Sequence, residues 1–206
     1  AEGKTIKVRL QGQNADFNTS FIGKNYLAGL AYKPVIEVVK GGDVIQLEEG
    51  TKFNEDIKSL VNGEHYILDK KDYKIKNVVF QANSDGTVPS LPYVDVSSAE
   101  SSTPIYASWD ASTGTIYVSS SSYKVYANSN AGCMFKNLKC LEKVSLGDFS
   151  TDYTEYLWAL FDGCERIQSV DMSSFDLSLV NNASALFAGC ENLTEIVWPN
   201  MTFSKT

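Results

Sequence analysis

Phe135, Phe161 and Phe187 stand 26 residues apart (161 − 135 = 187 − 161 = 26), and their neighbours recur with them. The three runs read MFKNLKCLEKVSLGDF, LFDGCERIQSVDMSSF and LFAGCENLTEIVWPNM. A fixed period of this length marks chains whose copies stack, because one copy cannot bury its own apolar stripe. Aligned columns hold Leu141, Ile167 and Leu193, then Val144, Val170 and Ile196, then Leu146, Met172 and Trp198, then Phe149, Phe175 and Met201. Each copy ends in period-2 alternation, the pattern of a short strand with one buried face. Upstream, Leu157, Leu160 and Phe161, like Val180, Ala183, Leu186 and Phe187, share one face at helical spacing. The spacing predicts one strand and one short helical segment per copy, repeated as a solenoid of about three coils over residues 131–206. Each buried apolar side chain contributes roughly 1.5–3 kcal/mol to such a stack.

The residues before the repeat read as strands with little helix. Thr5–Leu10 alternates, Pro34–Val39 and Val44–Leu47 flank the glycine turn Lys40-Gly-Gly-Asp43, and Tyr66–Leu68 and Tyr73–Phe80 are further strand candidates. Asn54–Val61 reads as a short helix capped by Asn54, with Glu55 and Asp56 at its positive end and Asn62-Gly63 as its stop. Residues 1–96 are therefore expected to form a β-rich module, grasp-like or immunoglobulin-like. The Ser-rich stretch from Val96 to Thr103 marks a joint. Residues 97–130 then read as a linker and a capping hairpin, Ile105–Trp109 with Thr115–Val118, with Tyr123–Tyr126 added to cover the open first coil. The fold class expected is α+β, a β-rich amino-terminal module followed by the short solenoid.

Several motifs resemble the BspA-like class of leucine-rich repeats found in bacterial surface proteins. They are Phe161-Asp-Gly-Cys164, Val170-Asp-Met-Ser-Ser-Phe-Asp176, Leu186-Phe-Ala-Gly-Cys190 and Asn192-Leu-Thr194. Their counterparts in that family are its Met-Phe-x-Gly-Cys and Leu-Asp-Leu-Ser-x-Phe-Asp-x-Ser-x-Val blocks. Pro104–Asp110, Gly114–Tyr117 and Lys124–Tyr126 resemble the family's lead-in, so the likeness covers about Lys74 to Phe203. The first copy departs, with Asn137-Leu138 where Gly-Cys is expected, and Thr151–Tyr156 breaks the family's run. The departure makes the first copy a worn, partly capping coil. The resemblance implies a secreted or surface-displayed bacterial protein that adheres to host extracellular-matrix or other cell-surface proteins, and glycans are an alternative ligand. A bacterial source also implies that the Asn-x-Ser/Thr sequences at Asn18, Asn182, Asn192 and Asn200 carry no glycan.

Composition narrows the function further. A net charge of −7 and a pI near 4.8 disfavour nucleic acid and anionic membranes as partners. No apolar run is long enough to span a bilayer. The start at Ala1-Glu-Gly-Lys4 suits a mature chain whose export signal is gone, which places the protein outside the cell or on its surface. His65 is the single histidine, and its turn setting in Gly63-Glu-His-Tyr66 reads as a solvated loop, not a catalytic base. Asp171 and Asp176 fall inside the repeat pattern, where a turn role outweighs paired-carboxylate chemistry. No phosphate loop, dinucleotide fingerprint or calcium loop appears, so the chain is read as a non-enzyme without metal or cofactor. Cys133, Cys140, Cys164 and Cys190 all lie in the repeats, and the column shared by Leu138, Cys164 and Cys190 reads as a small buried hydrophobe, with a disulfide somewhere among the four as the alternative.

Binding surface is easier to place than chemistry. Residues between the buried strand positions point outward, giving Lys143 and Ser145, Ser169 and Asp171, and Glu195 and Val197. Side by side on successive copies they make a polar strip suited to protein interaction. Tyr117, Tyr123, Tyr126, Tyr153 and Tyr156 are candidates for aromatic contact. The rival reading makes the copies a spacer or stalk without a ligand site, or moves binding to a carbohydrate site in the first module.

Overall fold

Gly50–Asn62 forms α1, the one helix among the described residues of this computed structural model. Those residues are 45–82, 87–122, 124–147 and 149–199, all in one unit, Val44–Thr206. The strands expected at Thr5–Leu10 and Pro34–Val39, the turn at Lys40–Asp43, Tyr123, Asn18 and Asn200 lie outside them. Phe53, Asn54, Ile57, Lys58 and Val61 fall on one face of α1 and are buried. The helix begins four residues before Asn54, so Asn54 sits inside it and does not cap it. It stops where expected, at Gly63, whose φ of 70° suits glycine and whose amide bonds Ser59 O. The fully buried Lys58 donates to Leu68 O at 3.1 Å and Lys70 O at 2.9 Å, which pins the following loop. That loop replaces the strand expected at Tyr66–Leu68.

Nine short strands follow among the described residues: β1 (Asn77–Ala82), β2 (Tyr93–Asp95), β3 (Ile105–Asp110), β4 (Thr115–Ser120), β5 (Val125–Tyr126), β6 (Lys143–Ser145), β7 (Phe149–Ser150), β8 (Ser169–Asp171) and β9 (Glu195–Val197). The expected hairpin is present as β3 and β4, paired antiparallel. A five-stranded mixed sheet runs β2-β3-β4-β1-β6, with β1 parallel to both β4 and β6. Two small parallel sheets complete the set, β5 with β7 and β8 with β9. Val78, Phe80, Ile105, Ala107, Ile116 and Val118 line the inner sheet face and join one core with α1 and the repeats.

This corrects the expected fold class. Among the described residues no leucine-rich-repeat-type solenoid is found; they form a set of small mixed sheets with one short helix. The strand of the first copy, β6, belongs to the same sheet as β1, from well before the repeats. The helical segments expected upstream of Phe161 and Phe187 are turns. The physical reason lies in the backbone. Cys133, Ala159 and Ala185 have φ of 63°, 51° and 55°, and Asn137, Gly163 and Gly189 have φ of 60°, 75° and 65°. Left-handed residues at two places per copy cannot continue an α-helix. Asn137, which departs from the family pattern, fits its site because asparagine is the side chain best tolerated at positive φ.

The 26-residue register itself persists as a ladder of turns. The amides of Ala131, Cys133, Phe135 and Asn137 donate to the carbonyls of Tyr156, Trp158, Leu160 and Asp162 at 2.7–3.0 Å. One step on, Leu157, Ala159, Phe161 and Gly163 donate to Asn182, Ser184, Leu186 and Ala188 at 2.6–2.9 Å. The rings of Phe135 and Phe161 stack at 5.2 Å and those of Phe161 and Phe187 at 5.4 Å, with interplanar angles of 23° and 5°. A second column joins Phe80, Phe149 and Phe175 at 4.7 and 5.8 Å.

α1 closes the near end of this ladder, beside β5, which pairs with β7 at the end of the first copy. Phe53 stands edge-on to Phe135 at 6.3 Å, Gly50 N donates to Asn130 O, and Asn54 Nδ2 donates to Met134 O and Lys136 O. A Cβ on Gly50 would lie 2.4 Å from Gly132 O, so only glycine lets the helix approach.

Two expected outcomes follow from this packing. Phe161→Ala, at a fully buried rung, lowers stability by about 3–5 kcal/mol in urea titration, whereas Phe187→Ala at the half-buried last rung costs well under half of that. Asn54→Ala strands two carbonyls at the closed end and costs roughly 1–3 kcal/mol by the same measurement.

Candidate binding surface

Parallel pairing of β8 with β9 sets Ser169 beside Glu195 and Asp171 beside Val197, all four exposed, while Val170 between them is buried. The alternation of an ordinary half-buried strand accounts for this. Lys143 and Ser145 lie on β6, in register with Asn77 and Val79 of β1; Lys143 is exposed and Ser145 half-buried. The six residues named from the sequence therefore divide between two sheets, four in one cross-strand block and two on the neighbouring sheet's edge. Asp171 is also a turn anchor. Its carboxylate accepts the Ser173 amide at 2.9 Å, and bonds from the Ser173 hydroxyl and amide hold it below the usual carboxylate range.

Charge pairs cross the ladder in places that the strip did not include. Lys136 bridges Asp69 at 3.4 Å and Asp162 at 3.5 Å, and Lys139 Nζ meets Glu165 at 2.7 Å. Lys139, Glu165 and Glu191 form one column, so reading opposite charges 26 residues apart would have revealed the second pair. Lys124 pairs with Asp152 at 3.1 Å and lies 5.2 Å from the Tyr126 ring, which tilts against Tyr153 at 5.4 Å. Tyr153 and Tyr156 are exposed and Tyr117 is half-buried.

The cysteine column has a polar role as well as a packing one. Cys164 Sγ donates to Phe135 O and Cys190 Sγ to Phe161 O, each at 3.1 Å, so each thiol ties its turn to the copy before. All four cysteines are free. Burial pushes the Cys133 and Cys190 thiols up to about 11 and Cys164 higher still, which leaves little thiolate for reaction at neutral pH. His65 lies exposed in the loop after α1. Among the described residues, no group of three or more His, Cys, Asp or Glu side chains could hold a metal ion. No helix among them is long and apolar enough to cross a membrane.

Compared with known proteins, the chain matches no protein-family model, no curated protein and no solved structure.

A second titratable group sits at the start of α1. Burial, then the Asp56 carboxylate, pushes Glu48 from 4.5 up to about 8, against the opposing pull of Lys52 at 3.8 Å. Lys52 is drawn chiefly to Asp56, with which it makes a close contact. The folded state thus holds a proton on Glu48 that the unfolded chain releases above pH 4.5, so this contribution to stability is lost as pH rises through about 8. Glu48→Gln keeps the neutral shape at every pH. Its melting temperature is expected to gain on the parent's by several degrees between about pH 5 and about pH 9, measured by circular dichroism.

Proposed function

We propose that this chain is a BspA-like bacterial surface protein, secreted or displayed, that binds host matrix or other cell-surface proteins and performs no catalysis. The observation that carries the reading is the exposed block of Ser169, Asp171, Glu195 and Val197 in parallel register, with Lys143 and Ser145 on the adjoining sheet edge. Backbone pairing holds these side chains, so little ordering entropy opposes binding. Mixed charge with Val197 among it suits a protein surface better than a nucleic acid, which the chain's net negative charge repels. The test is surface binding to immobilised extracellular-matrix proteins. Lys143→Glu and Asp171→Lys are each expected to weaken the affinity about tenfold. Unchanged affinity in both variants would refute the strip.

A second reading is favoured by the outer face of the five-stranded sheet. Tyr93, which is exposed, and Tyr106 make an edge-on pair at 5.2 Å, and the register puts Tyr117 on the same face. Aromatic faces suit stacking against a sugar ring. Glycan-array binding by the full chain, abolished by Tyr93→Ala, would move the ligand site there.

A further inference from the structure

A hollow of about 330 Å³ opens where the end of α1, the residues leading into β1 and the β3–β4 turn meet. That volume sits at the low end of the roughly 300–1,000 Å³ common for small-molecule sites. Val61 lies on its helix side, Trp109 lines it from β3, and Lys74, Lys76, Ser112 and Thr113 stand around it. None of them belongs to the strip on β6, β8 and β9. Alternation along β3 turns Trp109 to the side of Ile105 and Ala107, away from Tyr106.

The hollow gathers cations that the rest of the chain leaves uncancelled in few places. Lys52, Lys70, Lys124, Lys136 and Lys139 each meet a carboxylate. Lys74 and Lys76 are exposed and meet none among the described residues. Lys74 Nζ gives one of its three N–H groups to Val61 O at 3.5 Å, which leaves two for a ligand. The Lys76 stem crosses Gly114 so closely that a Cβ there would lie 3.1 Å from its Cγ and Cδ, and Gly114 has a φ of 71° that suits glycine. Asp110, at the start of the turn, accepts the Ser112 amide at 2.9 Å, the Ser112 hydroxyl at 2.6 Å and the Thr113 hydroxyl at 3.0 Å. Both hydroxyls thus direct their protons to Asp110 and keep lone pairs for other donors. Trp109 is half-buried, and its indole N–H has no acceptor among the described residues.

We infer that this hollow binds a sugar acid, a pyranose ring that carries one carboxylate. The ammonium groups of Lys74 and Lys76 pair with the carboxylate, the ring lies against Trp109, and its hydroxyls donate to Ser112 and Thr113. A phosphate suits the place less well. α1 presents its carbonyl end here, and Asp110 adds a negative charge, so the two lysines offset a monoanion better than a dianion. The site goes beyond protein adhesion and does not depend on it.

The experiment titrates the full-length ¹⁵N-labelled chain with D-glucuronic acid, and separately with D-glucose and glucose 6-phosphate, while following amide and indole shifts. Saturable changes are expected at Lys74, Lys76, the Trp109 indole and residues 112–114, with glucuronic acid bound about tenfold or more tightly than either comparison sugar. Lys74→Met and Lys76→Met keep the aliphatic stems at exposed positions, so each should weaken glucuronic acid about tenfold while the melting temperature holds within about two degrees. Tyr93→Ala should leave this affinity unchanged, which separates the hollow from the tyrosine face of the sheet. Lys143→Glu and Asp171→Lys should leave it unchanged too, so failure here and failure of the protein-binding strip are read apart. No saturable change at these residues, equal binding of glucose, equal or tighter binding of glucose 6-phosphate, or unchanged affinity in both lysine variants would each overturn the proposal. Loss of binding in Tyr93→Ala would do the same.

Discussion

The backbone hydrogen bonds that run from one copy to the next, 25 residues along the chain, hold the rest of the structure in place. Eight amides in two rows donate from Ala131 through Gly163 to the copy that follows, and the amides of Tyr156, Asn181 and Thr194 donate back to Ser129, Glu155 and Gln168 of the copy before. Every buried donor and acceptor needs a partner, and these crossing bonds supply it. Pairing between copies also frees each turn from making its own helical bonds, so Cys133, Ala159 and Ala185 can sit at positive φ without breaking a helix. The cost of those left-handed residues is offset by bonds and ring stacks on either side.

α1 belongs to the same logic. Its apolar stripe of Phe53, Ile57 and Val61 would bury equally well against many surfaces. Asn54 and Gly50 make it specific to this one, the first by donating to two carbonyls and the second by its lack of a side chain. The loop pinned by Lys58 then delivers Asp72, whose amide bonds Asn137 O and whose carbonyl receives the Lys139 amide. β1 continues the alignment beside β6. Helix, loop and β1 together thus stand where an earlier copy would, and they join the five-stranded sheet to the ladder through one shared core.

Parts of this were legible beforehand because local rules decide them. The β3–β4 hairpin follows from two alternating runs around a turn that ends in Gly114, and the end of α1 from Asn62-Gly63. The outward alternation of Ser169, Asp171, Glu195 and Val197 follows from strand geometry alone. The turns upstream of each phenylalanine were not legible. Leu157, Leu160 and Phe161 have the spacing of a helix face, and nothing about an alanine at 159 or 185 announces a left-handed residue. The split of the strip between two sheets was equally hidden, since β6 joins a strand more than sixty residues earlier while β8 joins one 26 residues later. Local pattern says which face a strand buries; it is silent on which neighbour supplies the ladder.

Periodicity alone established the register, which residues share a column, and that the copies must lean on one another, since no single copy has enough apolar surface to stand by itself. Only the three-dimensional arrangement decided where the backbone amides go. Their redirection from within each copy to its neighbours turned expected helices into turns, drew the first copy into a mixed sheet, and left the near end of the ladder to be closed by α1. Hydrogen bonds between distant segments depend on what folding brings alongside, and that information is spread over the whole chain.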